Sequence, residues 1–508
     1  MEQLPISGLK QISTKLDRLS RADLINENQV LESELSRAVK EIYRLKYAHL
    51  TEEQLNLILA AHLSEMQSSL YGASSERYKK PEDKPKKQEP PKPRIKQPSE
   101  RYPNIPVREI PIELSPQPSC GVCGNQMSDS GMTEDSEQLT MVPKKFEILR
   151  YKRSIYRCSC QSCMVTAPAV AKIIPSSSYS NEMILDVALS KYCDLIPIER
   201  YVGMARRSGL MDLPPHSLID LTHKFAVFVK DAYHLIEAGV LKARVMSADE
   251  TPHRMLEGSD KKSWYLWGFS TSQFCFLDAR GTRSGDVPKE MLLKSRCEVL
   301  LTDDYSGYDK AIRLTNIERR LTSQKLIVNA KCNAHSRRYF YKPRLNYPEA
   351  DFYLDHYHEI YQLESEAKGK PPNEVLKLRS QMKSRFEAMK TRACEELRRY
   401  PDSNQYKRGL NYYIENYEGL TLFLTEADVP IDNNSQERLL RSHVVGRKTW
   451  YGTHSEQGAK TAAVLFSIVE TCKLNGVNPR EYFPKLVEDL LNGKSAYTPS
   501  DFKNFAQS

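Results

Sequence analysis

Long apolar runs are missing from this chain: nowhere in its 508 residues does one approach the roughly 18 needed to cross a bilayer. A signal peptide is missing as well. These absences point away from membrane and export, so the expected location is cytoplasmic. A reducing compartment also excludes a disulfide framework, and the eleven cysteines are expected to be thiols or metal ligands. Charge of one sign is scarce too: 74 Lys and Arg against 65 Asp and Glu leave a net +9, too little by itself to identify a polyanion-binding protein. The excess is uneven, however. It gathers between Lys79 and Lys96 and again at Arg438, Arg441, Arg447 and Lys448, directly after Glu437. Basic residues clustered beside acidic ones suggest phosphate contact more than solvation does.

The length allows roughly three or four domains, and the pattern divides the chain accordingly. Leu24, Asn28, Leu31, Leu35, Ala38, Ile42 and Leu45 alternate by four and three residues. They predict a coiled coil within an oligomerisation segment spanning 1–78, with Asn28 at an a-type position fixing register. Eleven prolines and many lysines in 79–118 cannot build a core and read as an extended linker. Within a module at 119–170, Cys120 and Cys123 precede Cys158, Cys160 and Cys163. Four thiolates close a tetrahedral zinc site. Cys120, Cys123, Cys160 and Cys163 form two C-x-x-C pairs, with Cys158 the substitute ligand, and the stretch Phe146 to Tyr156 between the groups reads as β. The other six cysteines are scattered and are expected to be core or incidental residues.

Residues 171–240 are periodic as helices: Met183 to Leu189, Tyr201 to Leu210 and Ser217 to Leu235. Such a region is compatible with a helix-turn-helix, although packing explains the pattern as well. From 241 to 480 the reading is a strand-rich domain with strands at Arg244 to Ala248, Ser263 to Ser270, Gln273 to Asp278, Glu298 to Thr302 and Lys325 to Val328. A helical, Tyr-rich insertion at about 345–425 interrupts it, with Phe352, Leu354, Tyr357, Ile360, Tyr361 and Leu363 as its core. A tail covers 481–508. Five strands with acids after the first and the fourth match a ribonuclease H-like (RNase H-like) sheet, its first strands antiparallel and its fourth beside its first. The expected fold class is multidomain α+β.

Three carboxylates carry the chemistry. Asp249 ends the first apolar strand, Asp303 ends the fourth, and Glu437 opens a helix behind Asn433-Asn434. Strand, strand and helix are rigid carriers for oxygen ligands, and this arrangement suits two Mg2+ (or Mn2+) ions at a phosphodiester. Glu250 and Asp304 stand next to the two aspartates, but on a strand neighbours point to opposite faces. They are therefore expected to support the site rather than form it. His335, Arg337 and Arg338, with Arg438, Arg441, Arg447 and Lys448, are the candidate DNA contacts.

These residues lie in blocks that together resemble the transposases of the insertion-sequence-66 family, the DDE-type proteins of bacterial insertion elements. The blocks include Leu70-Tyr-Gly-Ala-Ser-Ser-Glu-Arg77, Lys191-Tyr-Cys-Asp-Leu-Ile-Pro197, Asp249-Glu-Thr-Pro252, Thr282-Arg-Ser-Gly-Asp-Val-Pro288 and Asp303-Asp-Tyr-Ser-Gly-Tyr308. They continue with Cys332-Asn-Ala-His-Ser-Arg-Arg338, Asp432-Asn-Asn-Ser-Gln-Glu-Arg438, Gly446-Arg-Lys448 and Glu470 through Pro479. The resemblance implies catalytic roles for Asp249, Asp303 and Glu437, and joining of a freed 3′-OH to target DNA without a covalent enzyme intermediate. It also implies element ends and target DNA as partners, accessory proteins of the same element, and a nucleoid-associated bacterial protein. The sequence departs from the family at Asp304, where glycine is usual, and in the additional cysteine of the second group. Two other classes are a catalytically inactive zinc-containing DNA-binding regulator and an RNase H-like nuclease that cuts without joining.

Overall fold

The computed structural model describes residues 97–103, 106–110, 122, 125, 136–140, 144–157, 164–256, 263–401 and 404–507. The coiled-coil segment and all five clustered cysteines, Cys120, Cys123, Cys158, Cys160 and Cys163, lie outside them. The chain divides into two compact units, 75–152 with 206–211 and the remainder. In the smaller unit a one-turn helix, Pro98–Arg101, is tied down where the Ser99 amide and hydroxyl each donate to the Glu137 carboxylate at 2.7 Å.

The first described element of the larger unit is an antiparallel hairpin, β1 (Ile155–Arg157) and β2 (Met164–Thr166). The expected strand over Phe146 to Tyr156 is confined to its last residues. Ile148, Leu149 and Tyr151 are exposed, so no buried face rewards extension there. Four helices follow: α1 (Asn181–Tyr192), α2 (Ile198–Arg207), α3 (Pro215–Phe228) and α4 (Lys230–Lys242). The helix expected from Ser217 to Leu235 is broken at Val229, whose amide bonds back to Phe225 O at 3.0 Å. No Gly or Pro marks the break, so apolar periodicity runs through it.

The five-stranded sheet comprises β3 (Val245–Arg254), β4 (Ser263–Ser270), β5 (Cys275–Arg280), β6 (Val299–Thr302) and β7 (Val328–Lys331), in the order β5-β4-β3-β6-β7. β3, β4 and β5 pair antiparallel, whereas β6 runs parallel to β3 and to β7. The antiparallel first strands and the fourth strand beside the first are as predicted from the sequence. The last strand lies three residues later than expected. Its apolar start, Leu326-Ile327, precedes the ladder, while polar Asn329 and Lys331 inside it are satisfied by the Thr302 hydroxyl at 3.0 Å and the Asp309 carboxylate at 2.9 Å.

Helices α5 (Asp286–Lys294) and α6 (Ser306–Leu321) connect and flank the strands. Both sheet edges are covered, which removes the unpaired ladder groups that invite aggregation. At the β5 edge a largely buried helix, α14 (Glu456–Leu474), presents the Thr471 and Ser467 hydroxyls to the amides of Cys275 and Leu277 at 3.1 and 2.8 Å. At the β7 edge Gly419 lies so close that a Cβ there would sit 2.7 Å from Asn329 O.

Between β7 and the helix bearing Glu437 lie α7 (Asn333–Tyr341), α8 (Ala350–Ala367), α9 (Pro372–Ser380), α10 (Lys383–Glu396), α11 (Gln405–Glu415) and α12 (Tyr417–Thr421). Their core is aromatic: Phe340 stacks on Tyr353 at 4.1 Å, with Tyr357, Phe386, Tyr406 and Tyr413 fully buried around them. Val299, Leu301 and Ala330 of the sheet belong to the same cluster, so the helices share a core with the strands that carry Asp303. Arg379, buried, ties the returning chain. It ion-pairs with Glu364 and donates to the carbonyls of Phe423, Glu426, Ala427 and Val429. Arg379→Leu is expected to cost about 3 kcal/mol in urea unfolding, because a half-buried carboxylate and several carbonyls lose their partner. α13 (Asn434–Trp450), α15 (Pro479–Leu491) and α16 (Pro499–Gln507) complete the chain. Among the described residues no helix is long and apolar enough to cross a membrane.

Candidate active site

Register brings the two aspartates together. β3 and β6 pair with Val245 beside Val299 and Ser247 beside Leu301, so the same offset carried two residues further sets Asp249 beside Asp303. By alternation both lie on the face of Val299 and Leu301. Helix α13 crosses that same face, and the cross-strand neighbour of Asp249 explains how closely. Asp249 pairs with Gly268 on β4, and a Cβ at Gly268 would run into the Gln436 side chain and approach Leu440 at 3.2 Å. A glycine in a strand interior marks such a close approach, and here it seats the helix that carries Glu437.

The start of α13 is held by a network rather than by an ordinary cap. Asn433 occupies the cap position without capping; its Nδ2 donates instead to Ala248 O at 2.9 Å, next to Asp249. The Asn434 amide is taken by Asp432 Oδ1 at 3.1 Å, and Asp432 Oδ2 accepts from the Tyr361 hydroxyl at 2.9 Å. Further along, two buried imidazoles lock the helix to β3. His253 Nδ1 meets His443 Nε2 at 2.8 Å, and His253 Nε2 meets the Thr453 hydroxyl at 2.8 Å. Burial, then nearby Arg447, lowers the pKa of His253 to about 4; burial, His253 and Arg447 hold His443 well below the ordinary value. Both rings are therefore neutral near pH 7.

Electrostatics show the acids converging. Burial, then Glu250, Asp303 and Glu437 in that order, push the Asp249 carboxyl up to about 8. Asp303 Oδ1 accepts the Tyr305 amide at 3.0 Å, which fixes the carboxylate at the strand end. Glu437 Oε1 is buried with no hydrogen-bond partner, 3.7 Å from His335 Nε2. Among the described residues no three His, Cys, Asp or Glu side chains are gathered tightly enough to cage a cation as they stand. The donor set nevertheless fits a hard divalent ion: three oxygen ligands on rigid elements, mutually repelling, one with an orphaned oxygen.

The neighbours of the aspartates point elsewhere. Glu250 accepts from the Tyr308 hydroxyl at 2.6 Å and from Arg283 Nε at 2.8 Å. Asp304 accepts from the Tyr339 hydroxyl at 3.3 Å. Of the candidate DNA contacts, Arg438, Arg441 and Lys448 are exposed on α13. Arg447 is half-buried, donating to Pro252 O. On α7, His335 faces Glu437, while Arg337 lies over the Tyr341 ring at 5.7 Å and Arg338 is half-buried. Asn433, Gly268, Arg283, Tyr308 and the His253–His443 pair were not singled out as site residues by sequence reasoning. Arg283, Tyr308 and Asn433 lie inside the blocks that resemble the family, and Gly268 carries a local signal, a lone glycine inside an apolar strand.

With this geometry in place, comparison with known proteins decides the family. The sequence pattern described as Transposase IS66 family matches residues 176–461, which contain every strand of the sheet and all three acids. The chain belongs to the IS66 transposase family. Its relatives include three uncharacterized proteins of Sinorhizobium fredii. One, y4hP, is 23% identical over 75% of this chain and 72% of its own length. Another, y4qI, is 26% identical over 85% and 79%, and y4jD is 25% identical over 77% and 78%. The IS66 match ends within α14, so α15 and α16 lie beyond it.

Proposed function

We propose that this IS66-family chain is an RNase H-like DDE transposase that cuts the ends of an insertion element and joins the freed 3′-OH to target DNA. The observation that carries the reading is geometric: Asp249 lies within β3, Asp303 just past the end of the neighbouring β6, and Glu437 on the helix seated against Gly268, the cross-strand partner of Asp249. A pair of Mg2+ or Mn2+ ions held by these three carboxylates would supply polarisation of the scissile phosphate and stabilisation of the leaving 3′ oxygen.

The chain's own residues prepare that chemistry. Asp249 holds a proton at neutral pH and releases it when its neighbours' charge is balanced. Glu250, satisfied by Tyr308 and Arg283, is kept from competing for the same cations. Arg438, Arg441 and Lys448 recur along the helix that carries Glu437, where they place DNA phosphates beside the acids. Water attacks the phosphate in line and the 3′-OH leaves. That hydroxyl then attacks a target phosphate, so one bond is broken for each bond formed and no enzyme adduct arises. An assay with element-end and target duplexes in Mg2+ tests this. Joined product is expected; cutting without joining would favour a nuclease, and binding without cutting an inactive regulator.

Two further readings concern residues outside those described. The N-terminal heptads make the chain a homo-oligomer, and the cysteine groups hold one structural zinc. Metal analysis of reduced, native protein is expected to find about one zinc per chain; none would remove the site.

A further inference from the structure

One cation close to the acids has no part in the chemistry above beyond balancing a neighbour. Arg283 directs Nε and Nη2 onto one oxygen of Glu250, at 2.8 and 2.7 Å. The Glu250 side chain is 2% exposed, whereas that of Arg283 is 48% exposed. A counter-ion present only for charge balance gains most by being buried with its acid, but this one keeps an open edge. Its Nη1 makes no hydrogen bond with any described residue.

The open edge is also held rigid. The guanidinium lies 4.2 Å from the centre of the Tyr305 ring, and the Tyr305 hydroxyl donates back to the Arg283 carbonyl. The loop beneath is fixed by Trp267 Nε1 on Thr282 O at 3.1 Å and by the Ser284 amide on the Thr282 hydroxyl at 3.0 Å. It also presses against the loop after Asp303, so closely that a Cβ on Gly285 would sit 2.5 Å from Gly307 O. A long side chain ordinarily loses much rotamer freedom on binding; here that loss is already taken on folding. A planar guanidinium with a free edge matches a phosphate oxygen.

Position completes the argument. Glu250 follows Asp249 in sequence, and Tyr305 caps onto Asp303. Arg283 therefore stands beside the middle of β3 and the end of β6, on the side of the sheet where Tyr308 of α6 reaches Glu250. Arg438, Arg441 and Lys448 stand on α13, on the opposite face. We propose that Arg283 is a substrate-positioning residue whose Nη1 edge binds a DNA backbone phosphate next to the one that is cut. A strand crossing the three acids is thereby held on both sides.

This inference rests on the DNA strand-transfer reading but is tested by binding alone. The probe is a duplex copied from the DNA flanking the coding region, titrated with full-length protein at several salt concentrations. Arg283→Gln is expected to bind roughly tenfold more weakly, with the slope of log affinity against log salt shallower by about 0.9, the value of one phosphate contact. Arg283→Lys is expected to restore the slope, because it keeps the charge. Glu250→Gln separates this role from a structural one: it breaks the ion pair yet is expected to keep the wild-type slope. An unchanged slope in Arg283→Gln, or an equal loss of slope in Glu250→Gln, overturns the proposal. Failure of the DDE reading would show separately, as strand joining that survives loss of the three acids.

Discussion

Asp249→Ala, Asp303→Ala and Glu437→Ala are each expected to lose Mg2+-dependent cleavage and joining of element ends by several orders of magnitude, while binding DNA almost as well as the parent. In the proposed mechanism the three carboxylates are the oxygen ligands, and removing one would take away charge stabilisation that the transition state needs and the bound ground state does not. On the proposed reading, DNA affinity rests on cations elsewhere, among them Arg438, Arg441 and Lys448. Asp304→Ala and Glu250→Ala are the controls. Asp304 is exposed and turned to Tyr339, and Glu250 is engaged by Tyr308 and Arg283, so both variants are expected to keep measurable joining. Gel assays of strand transfer, run beside anisotropy measurements of binding, separate the two effects. An inactive Asp304→Ala with an active Asp303→Ala would place the wrong aspartate at the site. Joining by all three principal variants would end the DDE assignment.

Which parts of this site are legible in sequence follows from how far each signal reaches along the chain. Asp249 and Asp303 each end a short apolar run, and period-two alternation separates them from Glu250 and Asp304 without any structure. The strand order is legible because acids after the first and fourth strands require those strands to be neighbours, and β3 beside β6 meets that requirement. Contacts that span the insertion are not legible. Nothing near Asn433 in the chain says that its side chain leaves the cap position to reach Ala248, some 185 residues earlier. Nor does any local pattern pair His253 with His443, or turn Arg283 onto Glu250. The break at Val229 and the late start of β7 are hidden for a different reason. Apolar periodicity passes unbroken through the first, and in the second polar Asn329 and Lys331 are paid for by partners on other elements.

The metal-free protein is expected to gain stability from Asp249→Asn, the substitution that stops chemistry. With its folded pKa at about 8 against an ordinary 3.8, Asp249 binds a proton when folded that it has lost when unfolded. A raised carboxylate leaves stability intact below the lower value and removes it as pH rises towards the upper one. At about 1.4 kcal/mol per pH unit, the loss by pH 8 is at most about 6 kcal/mol. His253 works in the opposite sense, since its lowered pKa costs stability as pH falls from 6.5 towards about 4, and His443 acts in the same direction. The two effects oppose each other in the acid range, so the Asp249 contribution stands clear between pH 6.5 and 8. Asparagine keeps the hydrogen bond from the Glu250 amide, now 2.9 Å from Asp249 Oδ1, and carries no charge to repel Asp303 or Glu437. In chelator, urea unfolding should therefore show the parent weakening from pH 6.5 to 8 while Asp249→Asn stays nearly level, with about 2–4 kcal/mol between them at pH 8. Added Mg2+ should close that gap, because a cation bound only by the folded parent stabilises it by mass action. A parent that shows no such slope, or an Asp249→Asn variant less stable than the parent in chelator, would mean that the acids do not strain one another and that the pocket is not built around a missing positive charge.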